Sequence, residues 1–457
     1  MSRTLPVIEE QRSSLRSDGS RDWVHPADVK GRWTTIRRGV FAALIAFYAA
    51  LPWIDVGGHP AVFIDLPERK FYFFGLTFNA QDAWLAFFLV TGVGFLLMLM
   101  AALLGRIWCG YACPQTVFLE GVYRRVERLI EGPRSKRLRR NAGPATFDKV
   151  WRKTLKNGIF IVLSVLVAHI FLSYFTSLDS LFGMVRASPF EHPEPFLWVW
   201  GISAALYLNF AFFREQLCLI VCPYGRLQSV LTDRDSIIVG YDEKRGEPRG
   251  KASDADAGDC VSCNRCVVVC PTGIDIRNGL QLDCIGCSNC IDACDEVMGK
   301  LGREPGLIRY DSLNGLEHKA RRFFRPRLAL YIVLGSIGLS VATLSIGGRQ
   351  SFEATAVRMR GAPFAINDGR VLNSFELHLV NKDDEVRRFE LRPLDDGPHT
   401  MNLPPLPIEV DALESRRLPL PVLVPEDRYE PGTVLQLEVT TEGEEPKVLE
   451  LPILGPG

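Results

Sequence analysis

Eight of the 12 cysteines fall into two runs of one pattern. Cys260-x2-Cys263-x2-Cys266-x3-Cys270-Pro271 is followed by Cys284-x2-Cys287-x2-Cys290-x3-Cys294-Asp295. Three thiolates spaced this closely let a short chain wrap three corners of an iron–sulfur cube, and the fourth reaches the neighbouring cube more easily than its own. The spacing therefore predicts two [4Fe-4S] clusters. Cys260, Cys263, Cys266 and Cys294 would hold one, and Cys284, Cys287, Cys290 and Cys270 the other. Paired zinc knuckles are the competing reading, but zinc sites seldom use four cysteines at this spacing twice. The repeat implies pseudo-twofold symmetry. Asp295 stands where a second proline often sits, which should leave ligation intact while changing the chain path or local charge. The acidic stretch 254–259 reads as a solvated loop.

The other four cysteines form a second repeat. An apolar run leads into Arg106-Ile107-Trp108-Cys109-Gly110-Tyr111-Ala112-Cys113-Pro114, and another into Arg214-Glu215-Gln216-Leu217-Cys218-Leu219-Ile220-Val221-Cys222-Pro223. If helix continues through each, Cys at i and i+4 share a face. Proline then bends or ends the helix. Two such ends side by side would gather four thiols. The readings are plain packing, a copper(I) or further iron–sulfur site, or a dithiol pair. Arg106, Arg214 and Arg226 could lower the thiol pKa values or reach lipid phosphate. His169, inside an apolar run, is either a helix–helix hydrogen-bonding group or a copper or haem ligand.

These groups need a membrane scaffold. Five apolar runs, at about 36–53, 83–104, 158–176, 196–213 and 328–346, approach the ~20 residues that cross a bilayer. Basic flanks set the orientation. Residues 105–157 carry 13 Lys/Arg against 4 Asp/Glu, and Arg321, Arg322, Arg325 and Arg327 precede the fifth run. The N-terminus, both large loops and all cysteines are then expected inside, and the C-terminus outside. That suits reduced thiolates in a reducing compartment. The first 35 residues lack a signal-peptide core, so targeting falls to the spans.

Residues 350–457 alternate in strand fashion, with turn signals between, and predict about seven short strands in an Ig-like β-sandwich used for packing or docking. His378 there reads as structural. The fold class is thus a five-span α-helical bundle, an α+β bacterial-type two-cluster ferredoxin insert and a C-terminal Ig-like β-sandwich. The divisions expected are 1–35, a four-span core at 36–213, a region 214–327 holding the ferredoxin domain 255–300, the fifth span 328–346, and 350–457. Lys+Arg and Asp+Glu are 53 each, which excludes a uniformly basic nucleic-acid binder. No P-loop or Gly-x-Gly-x-x-Gly fingerprint implies a nucleotide.

WCGYACPQ at 108–115, CLIVCPYGRLQ at 218–228 and the segment 266–298, in this order and followed by a β-sandwich, resemble the cytochrome c oxidase accessory proteins of the FixG, RdxA or CcoG type. The resemblance spans nearly the whole chain. It implies a bacterial inner-membrane protein that reduces copper(II) to copper(I) for maturation of cbb3-type cytochrome oxidase. Copper would be substrate or transient ligand, with Cys109, Cys113, Cys218 and Cys222 as the catalytic thiols. Implied partners are the oxidase assembly machinery, a copper transporter or chaperone, a cytoplasmic or quinol electron donor and membrane lipid. A homodimer stays open and no nucleic acid is expected. The rival readings are a quinol-coupled ferredoxin subunit of a respiratory reductase and a non-catalytic assembly scaffold.

Overall fold

The computed structural model describes residues 21, 23–67, 69–78, 83–254, 256–322, 325–347, 350–383, 385–395, 397 and 399–456. The chain divides into two compact units, residues 1–76 with 86–340, and residues 77–85 with 341–457.

Five helices of the first kind predicted are present: Arg32–Ala50, extended by a 3-10 turn to Trp53, then Ala83–Leu104, Phe147–Leu172, Pro193–Leu208 and Pro326–Gly347. All five are long and apolar enough to cross a membrane, so the protein is multi-pass. A helix satisfies its own backbone groups, which lipid cannot do. The outward side chains are left for lipid: Val90, Leu339 and Leu344 are 70%, 70% and 76% exposed. The third helix starts earlier than its apolar run, because Thr146 caps it by accepting a hydrogen bond from the Lys149 amide at 3.3 Å. The fourth helix ends in a π turn at Asn209–Phe213.

Basic residues at the ends of four spans are engaged by the segments that connect the spans, and one of them reaches the cysteine-rich region. Arg37 of the first helix donates to the Cys287 carbonyl at 3.1 Å. Lys156 of the third pairs with Glu131 at 3.2 Å. Arg214, after the fourth, pairs with Glu127 at 3.0 Å, and Arg327 of the fifth donates to the Val230 carbonyl at 3.0 Å. A two-stranded antiparallel ribbon, Ile238–Tyr241 with Ile308–Asp311, frames the ferredoxin region.

The second unit is a two-sheet sandwich. In one sheet Thr400–Met401, Ser415–Pro425, Arg370–Asn381 and Phe352–Arg358 lie in that order, with Ala365–Asn367 beside the third. In the other the order is Ile408–Val410, Arg387–Pro393, Val434–Thr441 and Lys447–Pro452. Among the described residues nine strands stand where about seven were expected; Ala365–Asn367 and Thr400–Met401 are too short to show alternation. Strand Arg370–Asn381 turns Val371, Phe375, Leu377 and Leu379 inward at every second position. Phe352 and Phe389 meet edge-on across the two sheets, with centroids 5.5 Å apart. Asn381 is fully buried and satisfied, donating to the Glu385, Val410 and Asp411 carbonyls.

Candidate functional site

The two cysteine runs fold alike. Cys266 lies on the short helix Arg265–Val268, and Cys290 and Cys294 on the helix Asn289–Lys300. Each helix is preceded by a left-handed residue, Asn264 at φ 55° and Ser288 at φ 60°. Two residues earlier another follows the same rule, Ser262 at φ 51° and Gly286 at φ 67°. Such a path curls the amides inward, as an anionic cluster needs, and the Gly286 amide faces the Cys284 sulfur at 3.4 Å. The departure at Asp295 has a visible result. Pro271 follows the end of the first helix, whereas at Asp295 the second helix runs on to Lys300. The Asp295 carboxylate accepts from the Gly306 amide at 2.8 Å.

Cys266, Cys270, Cys284, Cys287 and Cys290 line one cavity together with Val239, Ile274 and Ile285. Cys294 sits instead among Cys266, Cys263 and Cys260. The eight thiols match two [4Fe-4S] clusters in donor type and number. Burial raises the Cys294 and Cys287 thiols to about 12, with the neighbouring cysteines adding to the rise. Among the described residues no three His, Cys, Asp or Glu groups converge as a ready-made metal cluster.

At the membrane face the helices do not continue as the i, i+4 expectation required. Helix Ile107–Tyr111 ends at Ala112, and Cys113 is extended at φ −61°, ψ 126°. Cys222 is extended likewise at φ −64°, ψ 113°, after a π turn Leu217–Val221. Proline excludes its predecessor from helix, then starts the next one. The thiols still act on one another electrostatically, without converging as a ready-made metal site among the described residues. Burial pushes Cys109 up to about 12, and Cys113, Cys222 and Cys284 push it in the same direction. Cys218 rises to about 12 by burial and by Cys113, Cys109 and Cys222. Burial raises Cys113 as well. A bound soft cation would displace the protons of such thiols to solvent, which burial alone disfavours.

The arginines act only partly as expected. Arg106 pulls on Cys109, but burial outweighs it. Its guanidinium instead donates to the carbonyls of Cys284, Gly225 and Leu282, tying both constellations together. Arg214 is 4% exposed and ion-paired with Glu127, so it is not at lipid phosphate. Arg226 donates to the Ile220 carbonyl at 3.3 Å. His169 is not brought to the thiols; its Nδ1 meets the Val165 carbonyl of its own helix at 2.8 Å, in the last turn of the third span.

Several residues without a legible signal hold this junction. Gly110 packs directly on the cluster loop, where a Cβ would stand 2.7 Å from the Gly286 oxygen and 2.9 Å from that of Ile285. Tyr111 and Ser288 share a hydrogen bond of 2.8 Å. Gln228, fully buried, accepts from the Cys109 thiol at 3.3 Å. Asp292, between Cys290 and Cys294, accepts from the Thr34 amide and hydroxyl, both at 2.6 Å, and from the Trp33 amide at 3.2 Å. It caps the first span from another element. Arg124 joins Glu215 at 2.9 Å to the Pro271 carbonyl at 3.1 Å. Glu127 is 2% exposed; burial raises its pKa, yet Arg214, Lys156, Arg137 and Arg124 together bring it down to about 2.

Three family models match. A 4Fe-4S dicluster domain covers residues 213–313, a 4Fe-4S binding domain residues 85–139, and the IG-like fold at the C-terminal of FixG residues 342–451. The second of these includes Cys109 and Cys113. Protein RdxA of Cereibacter sphaeroides is 35% identical over 80% of this chain and 81% of its own. Nitrogen fixation protein FixG of Rhizobium meliloti is 35% identical over 80% and 78%. Protein RdxB of Cereibacter sphaeroides is 33% identical over 84% of each. A solved FixG-related protein from Vibrio parahaemolyticus overlaps 23% of this chain and 97% of that one at 19% identity, with a TM-score of 0.20.

Proposed function

The chain belongs to the FixG/RdxA/RdxB family of membrane iron–sulfur oxidoreductases, and from that premise we propose that it reduces copper(II) to copper(I) for maturation of a cbb3-type cytochrome oxidase. The observation that carries the reading is the junction at Cys109. This thiol is close enough to Cys113 and Cys222 of the membrane face and to Cys284 of the ferredoxin region for all three to act on it electrostatically.

Cys260, Cys263, Cys266 and Cys294 hold one [4Fe-4S] cluster, and Cys270, Cys284, Cys287 and Cys290 the other. Bound there, the clusters supply one-electron storage and transfer. What the chain supplies is placement. Arg106 and Gly110 keep the Cys109 segment against the Cys284–Cys287 loop, and Arg124 fixes Pro271 to the segment before Cys218. Cys109, Cys113, Cys218 and Cys222 take copper(II) as substrate. Soft thiolates favour copper(I) over copper(II), so each ion accepts one electron and leaves reduced. A cytoplasmic or quinol donor restores that electron. In this reading the cysteines face the cytoplasmic side of a bacterial inner membrane and the sandwich the periplasm, an orientation that the basic span ends support. There the sandwich docks the oxidase assembly machinery or a copper chaperone.

The test uses anaerobically purified, dithionite-reduced full-length protein. Copper(II) should bleach the reduced iron–sulfur signal and yield one copper(I) per electron, trapped by a copper(I) chelator. Cys109→Ser with Cys218→Ser should retain the iron and lose that reaction. Reoxidation by quinone but not by copper(II), or unchanged copper reduction in the double variant, overturns the reading.

A further inference from the structure

A cleft of about 590 Å³ opens beside the ferredoxin region. Six arginines line it, Arg37, Arg38, Arg124, Arg125, Arg128 and Arg137, against two carboxylates, Asp28 and Glu120. Each carboxylate is already taken: Asp28 pairs with Arg128 at 2.9 Å, and Glu120 with Arg124. Arg125 makes no hydrogen bond or ion pair among the described residues. Among the described residues Arg38 reaches only the Val29 carbonyl, at 3.5 Å. Unbalanced cations are therefore left at the mouth.

The floor is built rather than incidental. Arg37, Arg124 and Arg137 are 6%, 7% and 3% exposed, and the Nε of each is buried without a partner. An unpaired buried donor is costly, and three around one cleft call for an acceptor. Arg125 is held below its ordinary pKa by burial and then by Arg38, Arg37 and Arg128. These like charges crowd one another in the absence of an anion. Phe41 and Leu129 supply an apolar wall beside them.

We propose that this cleft is a binding site for a phosphate-bearing anion, held by the guanidiniums of Arg37, Arg38, Arg125 and Arg128 against the second half of the ferredoxin region. Guanidinium forks match phosphate oxygens in number and geometry. The cleft begins at the first turns of a membrane span, so a lipid headgroup can reach it, as can a soluble phosphate compound. Arg37 also donates to the Cys287 carbonyl, and Asn289, next to Cys290, lines the cleft. The occupant thus adjoins residues that carry the iron–sulfur thiols. The site is independent of the copper reading.

Delipidated full-length protein in detergent is titrated with cardiolipin, phosphatidylcholine or inorganic pyrophosphate. Thermal midpoint and native mass spectrometry report binding. The variant Arg38→Gln/Arg125→Gln removes two solvent-exposed cations, one of them held only by a long hydrogen bond to the Val29 carbonyl. Cardiolipin or pyrophosphate should raise the midpoint of the wild type and bind the variant roughly 30-fold more weakly, about fivefold per cation. Cardiolipin alone assigns a lipid headgroup, and pyrophosphate alone a soluble phosphate. Binding of neither, retention of phosphatidylcholine equal to cardiolipin, or equal affinity in the variant overturns the proposal, whatever the outcome with copper.

Discussion

Gly110→Ala is the sharpest probe of the junction. The added methyl would stand 2.7 Å from the Gly286 oxygen, 2.9 Å from its carbonyl carbon and 2.9 Å from the Ile285 oxygen. All three are backbone atoms of the loop between Cys284 and Cys287, so no side chain can swing aside. Either the short Cys109 helix or the cysteine loop must move. Overpacking of this kind costs about 1–3 kcal/mol, roughly a 5- to 150-fold shift toward the opened state. The control is Gly92→Ala in the second span, where nothing lies within 4 Å of the added atom. Anaerobic protein should be heated while the visible iron–sulfur absorbance is followed, and its reoxidation by copper(II) timed separately. Gly110→Ala should lose absorbance several degrees earlier and reoxidise more slowly; Gly92→Ala should match the wild type. Wild-type behaviour of Gly110→Ala in both assays refutes a packed junction.

Glu127 predicts a pH dependence. Its folded pKa, about 2, lies below the ordinary 4.5, so its stabilisation is complete above pH ~4.5 and is lost as pH falls toward 2. Glu127→Gln should flatten that slope and, at pH 7, cost about 3–5 kcal/mol by leaving buried cations unpaired; tryptophan fluorescence during thermal unfolding measures both. Asp292→Ala should cost about 0.5–2 kcal/mol by uncapping the first span, and Asp292→Asn less, read as thermal midpoints in the same detergent. The exchanged cysteines predict that Cys294→Ser alters the same EPR signal as Cys263→Ser, and that Cys270→Ser alters the one changed by Cys287→Ser. Pairing of Cys294→Ser with Cys287→Ser would instead mean that each run serves its own cube.

The spans and the sandwich were legible because long apolar runs and strict alternation leave few other solutions. The ferredoxin repeat was legible because its spacing is chemically restrictive. The path at the membrane face was half legible. Pro114 and Pro223 announced a break, yet whether helix persists to Cys113 and Cys222 depends on backbone angles that a four-residue spacing does not report. Arg214 looked like a lipid anchor because its partner Glu127 lies 87 residues earlier in another helix. Gly110, Gln228 and Asp292 left no local trace. Each is an ordinary residue whose role exists only once distant segments meet.

That last residue bears on how the protein is made. The first span is the earliest to enter the bilayer, yet the carboxylate that completes its start is 258 residues further along from Thr34. Closing so long a loop is entropically slow but adds little to its final cost. During synthesis the leading helix must therefore wait, its first amides bound to water at the lipid surface, until the segment carrying Cys290 and Cys294 has left the ribosome. Anchoring of the leading helix is therefore a late event, set by the arrival of the segment that carries Cys290 and Cys294.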